Sequence, residues 1–255
     1  IMATTFLTLT NELLRRLNEV TLTADTFAGA KNVQAIAKDS INSSIREILQ
    51  DGHEFPFLKT TNSQTLTAGT GTYDFPTDMS SVDWDTFYLK TLTSESNTAK
   101  ALPTISFESY TRNYRTIEDA SGTGGRAAPN LIYQTAEEKF GVTPIPNAAY
   151  VIEYVYYKFP TPLGTNAVTG VPTDGTDSTY DVPVIPERFN YIIVDGAMIY
   201  MMRFRSNEQS AQIHQQKFVQ GMKAMRRLLL DDKLYVESTM IQRPKFSSHM
   251  LSLSS

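Results

Sequence analysis

The residue pattern changes twice along this chain, and that change limits the possible folds more than any single motif does. Near the start, apolar residues recur at steps of three and four, which predicts an amphipathic helix over residues 6–20. A second helix is predicted over residues 28–50, followed by Gly52 at the position of a C-terminal cap. The two apolar stripes consist of Phe6, Leu9, Leu13, Leu17 and Val20, and of Val33, Ile36, Ile41, Ile45, Ile48 and Leu49. Helices this close in sequence are expected to pack as a hairpin.

From residue 57 to residue 159 the composition is that of a β structure. Thr, Tyr, Val, Phe and Trp dominate, and Gly and Pro interrupt them as turn signals. The candidate strands are residues 64–66, 71–75, 84–91, 131–134, 139–143 and 150–157. The last of these carries apolar residues on both faces, so both faces are expected to be at least partly buried. A short helix capped by Ser106 is predicted over residues 106–114.

Helical periodicity then returns. One helix is predicted from Pro186, in its first turn, to residue 204, and a final helix follows the break at residues 206–207. Their apolar faces are predicted to be Phe189, Ile192, Ile193, Gly196, Tyr200 and Phe204, and Ala211, His214, Phe218, Met222, Met225 and Leu229. Because isolated amphipathic helices are marginal in water, the helices of the two chain ends are expected to bury their stripes against each other.

These observations predict an α+β fold in four parts. Residues 1–55 and 183–232 form a helical bundle, and residues 56–182 form a β-rich insert subdomain. Residues 233–255 show no long period but keep scattered apolar residues, which predicts an extended C-terminal arm that packs on a partner. Two further stretches, residues 121–125 and 163–179, are predicted to be flexible loops, and long loops in compact domains are commonly functional.

The sequence lacks the residue patterns that most kinds of catalysis and metal binding require. The absence of cysteine excludes disulfides and thiol catalysis, and the three histidines have no partner at metal-ligand spacing. There is no phosphate-binding P-loop and no nucleophile elbow. Asp83 and Asp85 flank Trp84, as in a sugar-cleaving site, but the simpler interpretation is a core tryptophan between two solvated carboxylates. We therefore expect no catalytic residue, no cofactor and no metal.

The charge and hydropathy of the chain also limit its partners. A net charge of -4 disfavours a dedicated nucleic-acid binder, although it does not exclude a DNA channel. The basic side chains on the predicted helices face DNA, a partner ring or simply solvent. They include Lys217, Lys223 and Arg227. No apolar run is long enough to span a bilayer and no signal-peptide pattern precedes the first helix, so no membrane partner is expected.

Several segments in order resemble the tail tubular protein A-like, head-to-tail adaptor family of short-tailed bacteriophages. The segment LTNELLRRLNEVTLTADTFAGAKNVQAIAKDSINSSIREI resembles the family's N-terminal helical hairpin, and YDFP precedes the strand that carries Trp84. FGVTPIPNAAYVIEYVYYKFPTPL and VPVIPERFNYIIVDGAMIYMMRFR resemble its later strand and helix. The resemblance implies a non-enzymatic virion protein, assembled in the host cytoplasm. It implies a ring, usually of twelve copies, that joins the portal protein to the tail nozzle protein around passing DNA.

The arm is the predicted site of portal binding, because in this family the C-terminal arm inserts into grooves of the portal. Aromatic and large apolar residues dominate binding hot spots. The predicted portal-binding residues are Tyr235, Val236, Met240, Ile241 and Phe246. The alternatives are a tail-associated cell-wall glycan hydrolase, which would rest on the Asp83–Asp85 segment, a β-rich receptor-binding module, and another ring component of the tail.

Overall fold

The computed structural model describes residues 4–50, 55–90, 99–135, 137, 139–166 and 168–229, and its fold is the predicted mixture of α and β. The α-helices are α1 (Phe6–Arg16), α2 (Ala24–Phe27), α3 (Val33–Gln50), α4 (Phe107–Tyr110), α5 (Thr116–Ser121), α6 (Asn190–Phe204) and α7 (Glu208–Leu229). The strands are β1 (Lys59–Leu66), β2 (Thr72–Tyr73), β3 (Met79–Lys90), β4 (Lys100–Ala101), β5 (Thr104–Ile105), β6 (Leu131–Gln134), β7 (Phe140–Thr143) and β8 (Tyr150–Lys158). Single-turn 3-10 helices occupy Pro56–Leu58, Gly122–Gly125 and Glu187–Phe189, and a π-helix occupies Thr111–Arg115.

The first helix is shorter than its apolar stripe predicted. It begins with a reciprocal cap, in which the Thr5 hydroxyl accepts from the Thr8 N–H and the Thr8 hydroxyl accepts from the Thr5 N–H. It ends at Arg16, because Asn18 adopts a left-handed conformation with φ of 57°. Val20 therefore leaves the stripe and is 76% exposed, so its assignment to the apolar face was wrong.

The second helix starts five residues later than predicted, and a separate one-turn helix precedes it. The one-turn helix α2 ends at Phe27, and α3 begins only at Val33, after Asn32 has adopted a positive φ of 53°. The break lets Phe27 turn back into the core, where its side chain is fully buried. The prediction of one continuous helix from residue 28 was therefore wrong at its start.

Helices from both ends of the chain share one hydrophobic core. α1 packs against α3 and α6, and α6 packs against α7, so the predicted contact between the N-terminal helices is confirmed. The core includes Leu9, Leu13, Ile41, Ile48, Ile193, Met201, Phe218 and Met225. Pro186 precedes a 3-10 turn instead of opening α6, and Phe204, predicted to be apolar-facing, is 54% exposed because it ends the helix.

The strands form two four-stranded sheets with the orders β1-β8-β3-β4 and β2-β7-β6-β5. The strand β8 pairs antiparallel with both β1 and β3. It buries one face fully and the other partly, as its two apolar faces predicted. Several bounds were wrong: β1 starts at Lys59, β3 starts at Met79 and contains a register shift, and β4 and β5 were not predicted.

Aromatic rings fill a second core between these sheets. The Phe87 and Tyr154 rings stack with centroids 4.6 Å apart, and Phe140 meets both from β7. Beside this core, the predicted helix at residues 106–114 is correctly capped by Ser106, whose hydroxyl accepts from the Ser109 N–H. It continues as the π-helix, α5 and a 3-10 turn, so residues 121–125 are not the open loop that was predicted.

Candidate assembly surfaces

The long polar segment before α6 packs on the N-terminal helices. We call residues 163–183 the cover loop. The side-chain amide of Asn42 in α3 forms two hydrogen bonds of 3.0 Å with the Leu163 backbone, and the Leu7 N–H donates to the Gly175 carbonyl at 2.9 Å. The loop is therefore long because it packs on helices of its own chain. Residues 163–179 thus form a loop, as predicted, and this loop packs on the N-terminal helices.

Asp181 holds the cover loop together. Its side chain is fully buried, and the carboxylate accepts from the Gly164 N–H at 3.1 Å, the Thr173 hydroxyl at 2.7 Å and the Asp177 N–H at 2.9 Å. Its main-chain carbonyl accepts from the Phe6 N–H at 2.7 Å, which is one of the free donors at the start of α1. One residue thus closes the loop and attaches it to α1.

Two glycines let the cover loop approach the aromatic rings beneath it. Gly164 and Gly175 have φ values of 93° and 80°, which favour glycine. A Cβ atom at these positions would lie 2.7 Å from the Phe6 ring and 2.6 Å from the Phe27 ring. The two rings meet edge to face with centroids 5.1 Å apart. The loop therefore forms the outer layer of the helical core.

The outside of the cover loop is acidic and partly apolar. Asp174 and Asp177 are exposed, and the loop contains neither Lys nor Arg. The Asp174 carboxylate accepts from the Thr176 hydroxyl and N–H, which lowers the pKa of Asp174 below its ordinary value. Val168 and Val171 are 84% and 58% exposed. This surface combines negative charge with apolar contact area.

The outer side of α7 has a different composition. Its exposed amides are Gln209, Gln212, Gln215, Gln216 and Gln220, and its exposed bases are Lys217, Lys223 and Arg227. Ile213, Val219 and Leu228 are also exposed, at 52%, 43% and 65%. A partner can cover amide and apolar side chains at a lower desolvation cost than charged groups, provided that the amides find hydrogen-bond partners.

One exposed and two partly buried side chains link three of the helices. His214 Nδ1 in α7 and Arg16 Nη1 in α1 lie 3.3 Å and 3.2 Å from the same Asp195 Oδ1 in α6. The prediction that His214 is a partly buried helix residue is confirmed. Among the described residues, no group of three or more histidine and acidic side chains is placed to hold a metal ion. The group therefore joins three helices.

The segment considered for sugar chemistry is part of the second core. The Trp84 indole stacks on the Phe87 ring with centroids 5.5 Å apart and meets the Phe75 ring edge-on. The Asp83 carboxylate lies 3.8 Å from the Lys59 ammonium, while Asp85 is exposed. This arrangement matches the interpretation of Trp84 as a core residue beside solvated carboxylates.

A buried tyrosine pair, which sequence reasoning missed, joins α5 to the second sheet. The Tyr110 hydroxyl donates to Glu118 at 2.9 Å, and the Thr143 hydroxyl donates to the other carboxylate oxygen of Glu118 at 2.5 Å. The Tyr110 and Tyr133 rings stack 3.8 Å apart. Burial, and then hydrogen bonding with Tyr133 and Glu118, raises the pKa of Tyr110 well above its ordinary value. This cluster is a structural attachment, because all its polar groups are used internally.

A cleft of about 210 Å³ lies between α3, the end of β8 and both ends of the cover loop. Its apolar lining includes Ile45, Leu49, Phe159, Pro162 and Val184.

No helix among the described residues is long and apolar enough to cross a membrane. The predicted portal-binding residues Tyr235, Val236, Met240, Ile241 and Phe246 lie outside the described residues.

The fold combines a helical core with a second core between two sheets, and its described surfaces carry exposed charged, amide and apolar side chains. A comparison with protein families matches residues 4–243 to the SU10 adaptor protein family. Since the match spans nearly the whole chain, the chain belongs to this family of phage head-to-tail adaptors, and the predicted resemblance is confirmed. The family is structural, not enzymatic, and belongs to phage particles. A comparison with curated proteins found no match.

Proposed function

We propose that this chain is the subunit of a ring, of twelve copies by resemblance to its family, that joins the portal to the tail nozzle. The ring continues the DNA channel of the particle without sequence-specific binding, which agrees with the net charge of -4. The subunit is assembled in the host cytoplasm and remains in the virion at the head-to-tail junction. The observation that carries this proposal is the family match over residues 4–243.

The presence of two hydrophobic cores supports separate roles for the helical part and the β-rich part of the subunit. The described helices α1, α3, α6 and α7 share one core, and the two sheets form the other. We propose that the helical part forms the body of the ring as a bundle and that the β-rich part faces the nozzle. Tyr157 at the end of β8 belongs to the helical core, so the two parts are packed together at this point.

The C-terminal arm, residues 233–255, is proposed to dock into the portal by folding as it binds. Ordering a flexible arm costs free energy, so a single arm binds modestly. Many arms on one ring raise the effective concentration of each, which strengthens the attachment without any new contact. The family match extends to residue 243 and so includes Tyr235 and Ile241 of the arm.

Light scattering with the purified cognate portal ring tests this function. We expect the full chain to add to the portal in a fixed multiple, and a chain truncated after Asp232 to leave the portal mass unchanged. Failure of both chains to bind the portal would leave the family fold without this function, and a free-standing tail role would then be favoured.

A variant in the arm tests the anchor residues separately. Replacing Tyr235, Ile241 and Phe246 with Ser should lower portal occupancy by at least about tenfold, because large apolar anchors dominate such contacts. The matched control is Ser238→Ala with Thr239→Ala, which changes the same segment without removing an anchor. Equal portal binding by the anchor variant and the control would contradict the arm mechanism.

A further inference from the structure

Two surfaces of opposite charge lie on different elements of the helical part. The basic surface consists of Lys217, Lys223 and Arg227 on α7. The acidic surface consists of Asp25 in α2 with Asp174 and Asp177 in the cover loop. α7 packs on α6, whereas the hydrogen bonds and ring contacts of the cover loop are with α1, α2 and α3. The two surfaces therefore lie on elements that pack against different helices.

The basic surface has no acidic partner in its own subunit among the described residues. The ion pairs recorded near it are those of Arg203 with Glu208 and of His214 with Asp195. Lys217, Lys223 and Arg227 are all on the exposed side of α7, beside the exposed Ile213 and Val219. Positive charge beside apolar area suits a partner that offers negative charge and apolar area together.

The acidic surface offers that combination. Asp174 and Asp177 use one carboxylate oxygen each to cap turns of the cover loop, and both residues remain exposed. The exposed Val168 and Val171 belong to the same loop. Lys38 on this side is bound to the Phe27 carbonyl, and the exposed Lys31 offsets only part of the negative charge.

We infer that the basic surface of α7 on one subunit contacts the acidic surface of the next copy of the same chain. Because the two surfaces differ, the contact is heterologous, and repetition of a heterologous contact closes a ring when its rotation closes. The inference deepens the proposed function and rests on its ring. The amides and apolar side chains of α7 favour protein over DNA as the partner, since phosphate contacts come mainly from charged groups.

Charge exchange between two variants tests the contact. Variant one carries Lys217→Glu, Lys223→Glu and Arg227→Glu. Variant two carries Asp25→Lys, Val171→Lys and Ser178→Lys, which keeps the turn-capping Asp174 and Asp177 intact. Variant one alone places acidic groups on both sides of every contact. Variant two alone removes one of the three carboxylates of the acidic surface and adds three ammonium groups, so this surface becomes net positive and repels the basic surface. An equal mixture alternates the two variants and restores opposite charges at every contact, as does one chain that carries all six substitutions.

The measurement is the subunit concentration at half-assembly on the portal ring, by light scattering at about 150 mM salt. We expect each variant alone to need at least about tenfold more subunit, because juxtaposed like charges are strongly unfavourable. The mixture and the six-substitution chain should return to within about threefold of the wild type, and high salt should reduce these differences. Arg112→Glu, an exposed reversal in the π-helix, is the control and should have little effect.

The outcomes separate this inference from the proposed function. A wild-type chain that fails to join the portal contradicts the proposed function. If variant one joins the portal as well as the wild type does, the inference is overturned and the proposed function is not. The inference is also overturned if variant one loses only the binding of a double-stranded DNA fragment. Thermal melts identify any variant that fails to fold. If either variant misfolds or the mixture gives no rescue, the six-substitution chain is the decisive test. It should join the portal if the inferred contact is correct, and its failure to do so would overturn the inference.

Discussion

Replacing Asp181 with Ala should detach the cover loop from the helical core. The substitution leaves the Gly164 N–H, the Thr173 hydroxyl and the Asp177 N–H without their acceptor. A buried donor left without a partner costs about 1–3 kcal/mol, so three partly buried donors together should lower the free energy of unfolding by roughly 3 kcal/mol or more. Asp181→Asn should lose less, because one side-chain oxygen remains to accept.

Urea denaturation followed by two signals measures this loss. The single tryptophan, Trp84, reports on the second core, and circular dichroism at 222 nm reports mainly on the helices. If the chain unfolds cooperatively, both transitions should shift together. The control is Asp174→Ala in the same loop, where the carboxylate is exposed and the expected loss is much smaller than that of Asp181→Ala. Equal losses for Asp181→Ala and Asp174→Ala would refute the assignment of Asp181 as the attachment point.

Two further substitutions each test one residue of a hydrophobic core. Gly196→Ala should cost about 1–3 kcal/mol by overpacking, because its Cβ would lie 2.1 Å from Ser44 Oγ, whereas Gly29→Ala has open space and serves as the control in thermal melts. Burial and the neighbouring Asp78 raise the pKa of Tyr156 to about 12, so the folded state keeps the phenol neutral when the unfolded chain ionises near pH 10. The stability from this group should be present below pH 10 and lost between about pH 10 and pH 12, and Tyr156→Phe should remove this part of the pH dependence of urea midpoints.

The four long helices, α1, α3, α6 and α7, were predictable because each has a long apolar stripe that a single sequence shows directly. The interior of α7 follows this pattern, with Phe218, Met222 and Met225 all buried. Errors occurred where a local backbone conformation overrode the stripe, as at Asn18, whose positive φ ends α1 early. The first half of β1 was missed because its Thr, Asn and Ser residues are polar, and only their pairing with β8 makes them a strand.

The surfaces were less predictable than the fold, because their geometry depends on contacts between distant segments. The cover loop has the composition of a flexible segment, and nothing near it in sequence indicates that Gly175 meets the Phe27 ring. Glu118 joins Tyr110 and Thr143, which lie 8 and 25 residues away. Composition indicates how polar a segment is, but it does not indicate whether its polar groups face water or each other.

The proposed subunit contact and the proposed portal contact meet on α7. This helix carries the basic surface and ends at Leu229, four residues before the start of the arm. If neighbouring subunits hold α7 through Lys217, Lys223 and Arg227, every arm in the ring starts from a fixed position. Fixing the starting points limits the volume that each arm explores and raises its effective concentration at the portal. Weakening the subunit contact should therefore weaken portal binding even in a chain whose arm is unchanged, whereas changing the arm should leave the charge dependence of the subunit contact intact.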